Sequence, residues 1–256
     1  MGMMDLMFKK PKVSKGITVR TFACKRDGKT VRGTEYRPQG DHLPVAIVCH
    51  GFMAFQDTVR QYAAALAELG YAAYCFDFCG GSFIRCQSDG DTTEMSVLTE
   101  VKDLESVIGY VQSLPFTSNV LLLMGCSQGG FVSALAAAKH PERVSKLVMF
   151  YPAFCIPDDA RAGKMMFAKF DPQNIPDTFR CMFMKLGRCY VTDVIDMDPY
   201  DQIKDYHGQV LLVHGTKDLV VNIDYARRAD AVYRSAGAEI QFEIIEGGNA
   251  YVFPKA

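Results

Sequence analysis

Apolar residues in this chain fall into short unbroken runs, and the stretches between the runs carry a period near 3.6. Residues 45–49, 71–76, 120–124, 144–151 and 210–214 are such runs, the pattern of strands buried on both faces of a parallel sheet. Between them, residues 56–69 place Val59, Tyr62, Ala63, Leu66 and Leu69 on one helical side, with Gly70 as the C-terminal stop. Residues 96–114 carry the stripe Val97, Val101, Leu104, Val107, Ile108 and Val111, and Pro115 blocks its extension. Further helices are expected over 132–139 and over 223–234, the latter capped by Asn222 and closed by Gly237. Residues 16–24 and 30–37 read as a hairpin turning through Asp27-Gly28, and residues 239–245 as the last strand.

The alternation breaks between residues 152 and 207. This segment holds five of the eleven prolines and is rich in Met and Phe. An unstructured loop of that length is anomalous in a compact domain, so an inserted cap over the mouth of the sheet is expected. The chain therefore predicts one α/β domain over 1–256, a mostly parallel sheet with helices on both faces, with a small cap at about 152–207.

Composition narrows the partners. A net charge of −1 with both signs scattered points to no nucleic acid and no anionic membrane. No window has the roughly 18 apolar residues of a membrane span, and the first ten residues hold too short an apolar run for a secretory signal. Nine cysteines, an odd number without C-x-x-C pairs, fit buried thiols in a reducing cytoplasm better than disulfides or zinc. Neither metal nor other cofactor is expected. The expected partners are a small-molecule ester and, at most, a second copy of the chain in a homodimer.

The run at 120–124 ends in Gly125-Cys126-Ser127-Gln128-Gly129, with a helical pattern following at once. Strand, sharp turn and helix with serine at the apex is the context in which G-x-S-x-G presents a nucleophilic hydroxyl. Other candidate groups also stand at strand ends: His50-Gly51-Phe52, Asp77 and Asp218. In an open parallel sheet those ends form the ligand crevice. Asp77 and His50 read as loop braces. Cys126, one position from the apex, points away from any base.

These residues resemble the α/β-hydrolase family over nearly the whole chain. Within the insert, Ile156-Pro157, Ala160-Arg161, the run Phe170-Asp171-Pro172-Gln173-Asn174-Ile175-Pro176-Asp177, and Tyr190-Val191 resemble the cap of bacterial cinnamoyl and feruloyl esterases. The resemblance implies a serine carboxylic-ester hydrolase acting on short or aromatic acyl esters. It implies Ser127 as nucleophile, Asp218 as triad carboxylate, and the Phe52 and Gln128 N–H groups as oxyanion hole. Asp158 and Tyr190 would meet the ring hydroxyls of the acyl group.

One component departs from the pattern. The triad order in this fold is Ser, Asp, His, yet the histidines at 42, 50, 140, 207 and 214 all precede Asp218. The family's histidine follows the last strand, where this chain has Ala250. Losing that base costs on the order of a million-fold in turnover. The expectation is an impaired hydrolase. The alternatives are a non-catalytic binding homologue and a serine aminopeptidase or thioesterase on the same fold.

Overall fold

A computed structural model describes residues 10–166 and 168–249. β1 (Thr18–Arg26) and β2 (Lys29–Arg37) pair antiparallel across Asp27 and Gly28. Both turn residues have positive φ, 48° and 82°, the backbone that lets a two-residue hairpin follow the strand twist. β3 (Leu43–Cys49) leads through the His50-Gly51-Phe52 turn to α1 (Arg60–Glu68), then come β4 (Ala72–Asp77) and α2 (Val97–Gln112). The expected single helix over 56–69 is divided. Asp77 Oδ1 accepts the Gln56 N–H at 2.7 Å, and residues 56–58 form a separate 3-10 turn before α1 begins.

β5 (Thr117–Cys126) runs through Ser127 into α3 (Gln128–Lys139), followed by β6 (Lys146–Phe150). The next segment contains α4 (Ile156–Arg161), β7 (Lys164–Met165), β8 (Ala168–Lys169), β9 (Thr178–Cys181), β10 (Met184–Gly187), α5 (Cys189–Thr192) and α6 (Pro199–Ile203). Two small hairpins, β7–β8 and β9–β10, stand where the sequence pattern lost its period. Strands of two to four residues are too short to print one. β11 (Gln209–Gly215), α7 (Ile223–Ser235) and β12 (Glu239–Ile245) close the fold.

The main sheet has the order β1-β2-β4-β3-β5-β6-β11-β12. From β4 to β12 it is parallel, and β2 joins β4 antiparallel. Alternate residues of β3 feed two cores: Val45, Ile47 and Cys49 pack with α2 and α3, while Ala46 and Val48 pack with Val59, Ala63 and Ala67 around α1. That double burial is why the central runs read as unbroken. Ser96 caps α2 through its side chain, in a reciprocal box with Thr99. The same Ser96 Oγ donates to Asp193 Oδ2 at 2.5 Å, and Thr92 Oγ1 donates to the Lys185 carbonyl at 2.5 Å. These bonds fasten the segment after β6 to the head of α2. Among the described residues no helix is long and apolar enough to cross a membrane.

Candidate active site

Ser127 sits at φ 53°, ψ −121°, between the end of β5 and the first turn of α3. A non-glycine residue in that region stores on the order of 1–3 kcal/mol, retained only where the surroundings over-determine it. They do so here. Ser127 N–H donates to Phe150 O at 2.9 Å, and Ser127 O accepts from the N–H groups of Gly130 (2.9 Å) and Ala153 (3.0 Å). A Cβ on Gly125 would lie 2.1 Å from Gly129 O, and one on Gly129 2.3 Å from His50 O. The two glycines of the motif are thus the clearance that lets strand, turn and neighbouring loop close on one another.

The neighbouring loop is His50-Gly51-Phe52. A Cβ on Gly51 would meet Ser127 Cβ at 3.2 Å, so this turn lies directly against the serine. His50 Nε2 accepts from Phe78 N–H at 3.2 Å, which leaves Nδ1 to donate to Gly51 O at 2.8 Å. Burial holds its pKa below the ordinary value, against the opposing pull of Asp77. His50 is a neutral brace with both nitrogens committed. Asp77 is a brace as well: it accepts from Gln56 N–H, Gln56 Nε2 and Gln87 N–H.

Gln128 opens α3, where the first N–H groups have no intrahelical acceptor and the helix dipole is positive. Its buried side chain is fixed from the segment above the sheet, because Tyr190 OH donates to Gln128 Oε1 at 2.5 Å. Gln128 Nε2 lies 3.8 Å from Met95 Sδ. Glu100, fully buried beside this group, is pushed well above the usual carboxylate range by desolvation. Its Oε2 has no hydrogen-bond partner among the described residues.

Asp218 stands on the loop after β11. Oδ1 accepts from Val220 N–H at 2.8 Å and Val221 N–H at 3.0 Å. Oδ2 is buried, has no hydrogen-bond partner among the described residues, and lies 3.5 Å from His214 Nε2. That nitrogen donates to Val221 O at 3.0 Å. Burial raises the Asp218 carboxyl, but His214 and the Val221 and Val220 N–H groups outweigh it and hold the carboxyl below its ordinary value. It is a carboxylate with one oxygen uncommitted. The strand-end loops beside it interlock: Thr216 N–H donates to Ile245 O, Lys217 N–H to Gly248 O, and Gly247 N–H to Thr216 Oγ1. The chain after β12 is thus fastened to the Asp218 loop as far as Gly248. Ala250 lies outside the described residues.

No described histidine serves Ser127. His140 Nε2 meets Glu105 Oε1 at 2.8 Å, His207 Nδ1 meets Ala236 O at 2.8 Å, His42 is exposed at a turn, and His50 and His214 are bound as above. Cys126 is buried with its thiol pushed up to about 12 by desolvation, which keeps it protonated and inert. Among the described residues no group of His, Cys, Asp or Glu could hold a metal ion.

Ser127 opens onto a cavity of about 280 Å³ whose walls include Phe52, Ile156, Met165, Tyr190 and Val221. Asp159 and Lys164, paired at 3.2 Å, are its charged lining. The expected ligand residue Asp158 does not line this cavity. One helical residue earlier, it faces a separate groove, where it pairs with Arg161 at 2.6 Å and accepts from Tyr225 OH at 2.8 Å. Tyr190 does line the cavity, with its hydroxyl committed to Gln128. Glu100, Asp159 and Lys164 escaped the sequence reading. Glu100 alone left a signal, a carboxylate inside the apolar stripe of α2.

Residues 40–178, more than half of the chain, match the serine aminopeptidase S33 family (Hydrolase_4). Monoglyceride lipase of Rattus norvegicus is 27% identical over 145 residues, 56% of this chain and 46% of the lipase. Carboxymethylenebutenolidase of Pseudomonas putida is 25% identical over 50% of this chain and 57% of the relative, so the chain spans about half the length of the curated relatives it matches. Among solved structures, Est1E from Butyrivibrio proteoclasticus, with ferulic acid bound, is 27% identical, covers 90% of both chains and superposes with a TM-score of 0.80. The likeness to bacterial feruloyl esterases read from the insert is therefore carried by the whole fold. With its family match and its structural neighbours in agreement, the chain belongs to the serine aminopeptidase S33 family and has the α/β-hydrolase fold.

Proposed function

We propose that the chain is built as a serine carboxylic-ester hydrolase for short or aromatic acyl esters, with its turnover limited by the residue at position 250. The observation that carries this is the strained Ser127 facing a 280 Å³ cavity whose rim holds the Asp218 loop. In this reading Ser127 Oγ attacks the ester carbonyl carbon, and the resulting oxyanion takes the N–H groups of Phe52 and Gln128. The serine proton must pass to a base and then to the departing alcohol, leaving an acyl-enzyme that water cleaves in turn. The uncommitted Oδ2 of Asp218 is suited to orient an imidazole; alanine supplies none.

A phenylpropenoid acyl group suits the cavity's mixed lining. Ile156, Met165 and Val221 would flank the ring, and the Asp159–Lys164 pair, rather than Asp158, would meet its hydroxyl. Ferulic acid in Est1E, the relative at 27% identity, supports this choice. The test is turnover of p-nitrophenyl acetate and methyl ferulate by the chain and by Ala250→His. A gain on the order of a thousand-fold is expected. No gain would remove the triad assignment.

A second reading rests on Ala250 itself: the chain keeps the pocket and binds hydroxycinnamates without cleaving them. Ferulate binding by the unaltered chain, with no turnover after Ala250→His, would select it. Amide and thioester substrates in the same assay separate a peptidase or thioesterase, since the fold does not fix the bond cleaved.

A further inference from the structure

Exposed large apolar side chains are concentrated around the mouth of the Ser127 cavity. Of thirteen among the described residues, Met166, Leu219 and Val220 line it, and Phe83, Ile84, Met182 and Phe183 stand on the adjoining loops. Scattered singly they would be ordinary surface; gathered at one opening they are not. The gathering follows from contacts. The Phe83 and Phe183 rings approach to 6.4 Å between centroids. Ser82 Oγ donates to Met53 O, seating the Phe83 loop beside the Phe52 turn. Cys181 Sγ donates to Met165 O, setting the β9–β10 tip beside Met166, which lines the cavity with Leu219 and Val220.

The most exposed members of this rim stand on turns and loops: Phe183 is 73% exposed on a two-residue hairpin turn and Leu219 98%. Side chains of that kind insert into a fluid phase. Exposed cations share these loops, Arg180 and Lys185 on β9 and β10 and Lys217 two residues before Leu219; of the nearby carboxylates, Asp159 pairs with Lys164, Asp177 with Arg188, and Asp91 lies in the field of Lys185 and Lys29. Apolar side chains with cations on the same loops are complementary to an anionic lipid interface. The overall charge of −1 hides this local arrangement.

We propose that this rim is a lipid-docking surface, which seats the cavity mouth on an anionic acyl-lipid bilayer so that esters reach Ser127 from the interface. Docking is independent of which acyl group is cleaved, and of whether cleavage occurs. The chain has no tryptophan, so Phe183→Trp introduces a single reporter. Its emission is expected to shift to the blue with vesicles of phosphatidylcholine and phosphatidylglycerol, and less with phosphatidylcholine alone. The unaltered chain should sediment with the same anionic vesicles, less so as salt is raised. Phe183→Ser with Leu219→Ser should lower the partition coefficient about tenfold or more. Absence of both the shift and the sedimentation would overturn the proposal. So would sedimentation that survives the double substitution, or a concentration-dependent dimer that the substitution dissolves, which would assign the rim to a second copy of the chain.

Discussion

Ser127 and Asp218 end strands of the same parallel sheet, with β6 between them, yet the two sides of the site are held in different ways. On the serine side nearly every constraint is backbone. Four main-chain hydrogen bonds fix Ser127, two glycines have no room for a side chain, and a buried histidine ties the adjoining turn. On the carboxylate side, one oxygen of Asp218 holds two N–H groups, and the other, 3.5 Å from His214 Nε2, has no hydrogen-bond partner among the described residues. The geometry of attack can therefore persist without selection on the base, because the elbow is also how β5 connects to α3. The acid–base half depends on side chains instead, the Asp218 carboxylate and an imidazole that residues 219–256 do not supply.

The contrast can be broken most forcefully at Gly125. Gly125→Ala drives a Cβ to 2.1 Å from Gly129 O, so a loss of at least about 4 kcal/mol, or no folded product, is expected by urea denaturation. An unaltered midpoint would mean that the serine side is not over-determined. Next comes Tyr190→Phe, which leaves Gln128 Oε1 buried without its donor. A loss of about 1–3 kcal/mol is expected, read as a lowered melting temperature.

The smallest effect belongs to the carboxylate side. Asp218→Asn should cost about 1 kcal/mol or less at neutral pH, as the Oδ1 bonds survive. Its pH dependence has a defined sign. The folded carboxyl lies below the ordinary value of 3.8, so its contribution is present above that value and is lost as pH falls through the lowered one. Unfolding curves of the two proteins should therefore differ above pH 3.8 and converge in more acid solution. A gap that widens on acidification would reverse the assignment of Asp218 as a stabilised carboxylate.

Much of this was legible along the chain. The central strands announced themselves because both their faces are buried, and α2 and α7 because each has a capped, striped sequence. The elbow was legible because strand, glycine spacing and helix are all local. The insert was not: its four strands have two to four residues, and its order comes from bonds to distant groups such as Asp193 to Ser96 and Lys185 to Thr92. The exchange of Asp158 for Asp159 has the same origin. Adjacent residues on a helix point about 100° apart, and only the seating of α4 decides which one meets the cavity.

By itself, then, the sequence determined the main sheet, its long flanking helices, the serine turn and the absence of a histidine in residues 219–256, because periodicity, glycine clearance and residue order are properties of neighbours along the chain. Only the tertiary structure decided which groups His50 and Asp77 brace, that Tyr190 serves Gln128, that Glu100 is buried, and that exposed apolar side chains from separate loops stand at and beside one opening. Each of these depends on desolvation and on hydrogen bonds between residues far apart in sequence, which no local pattern encodes.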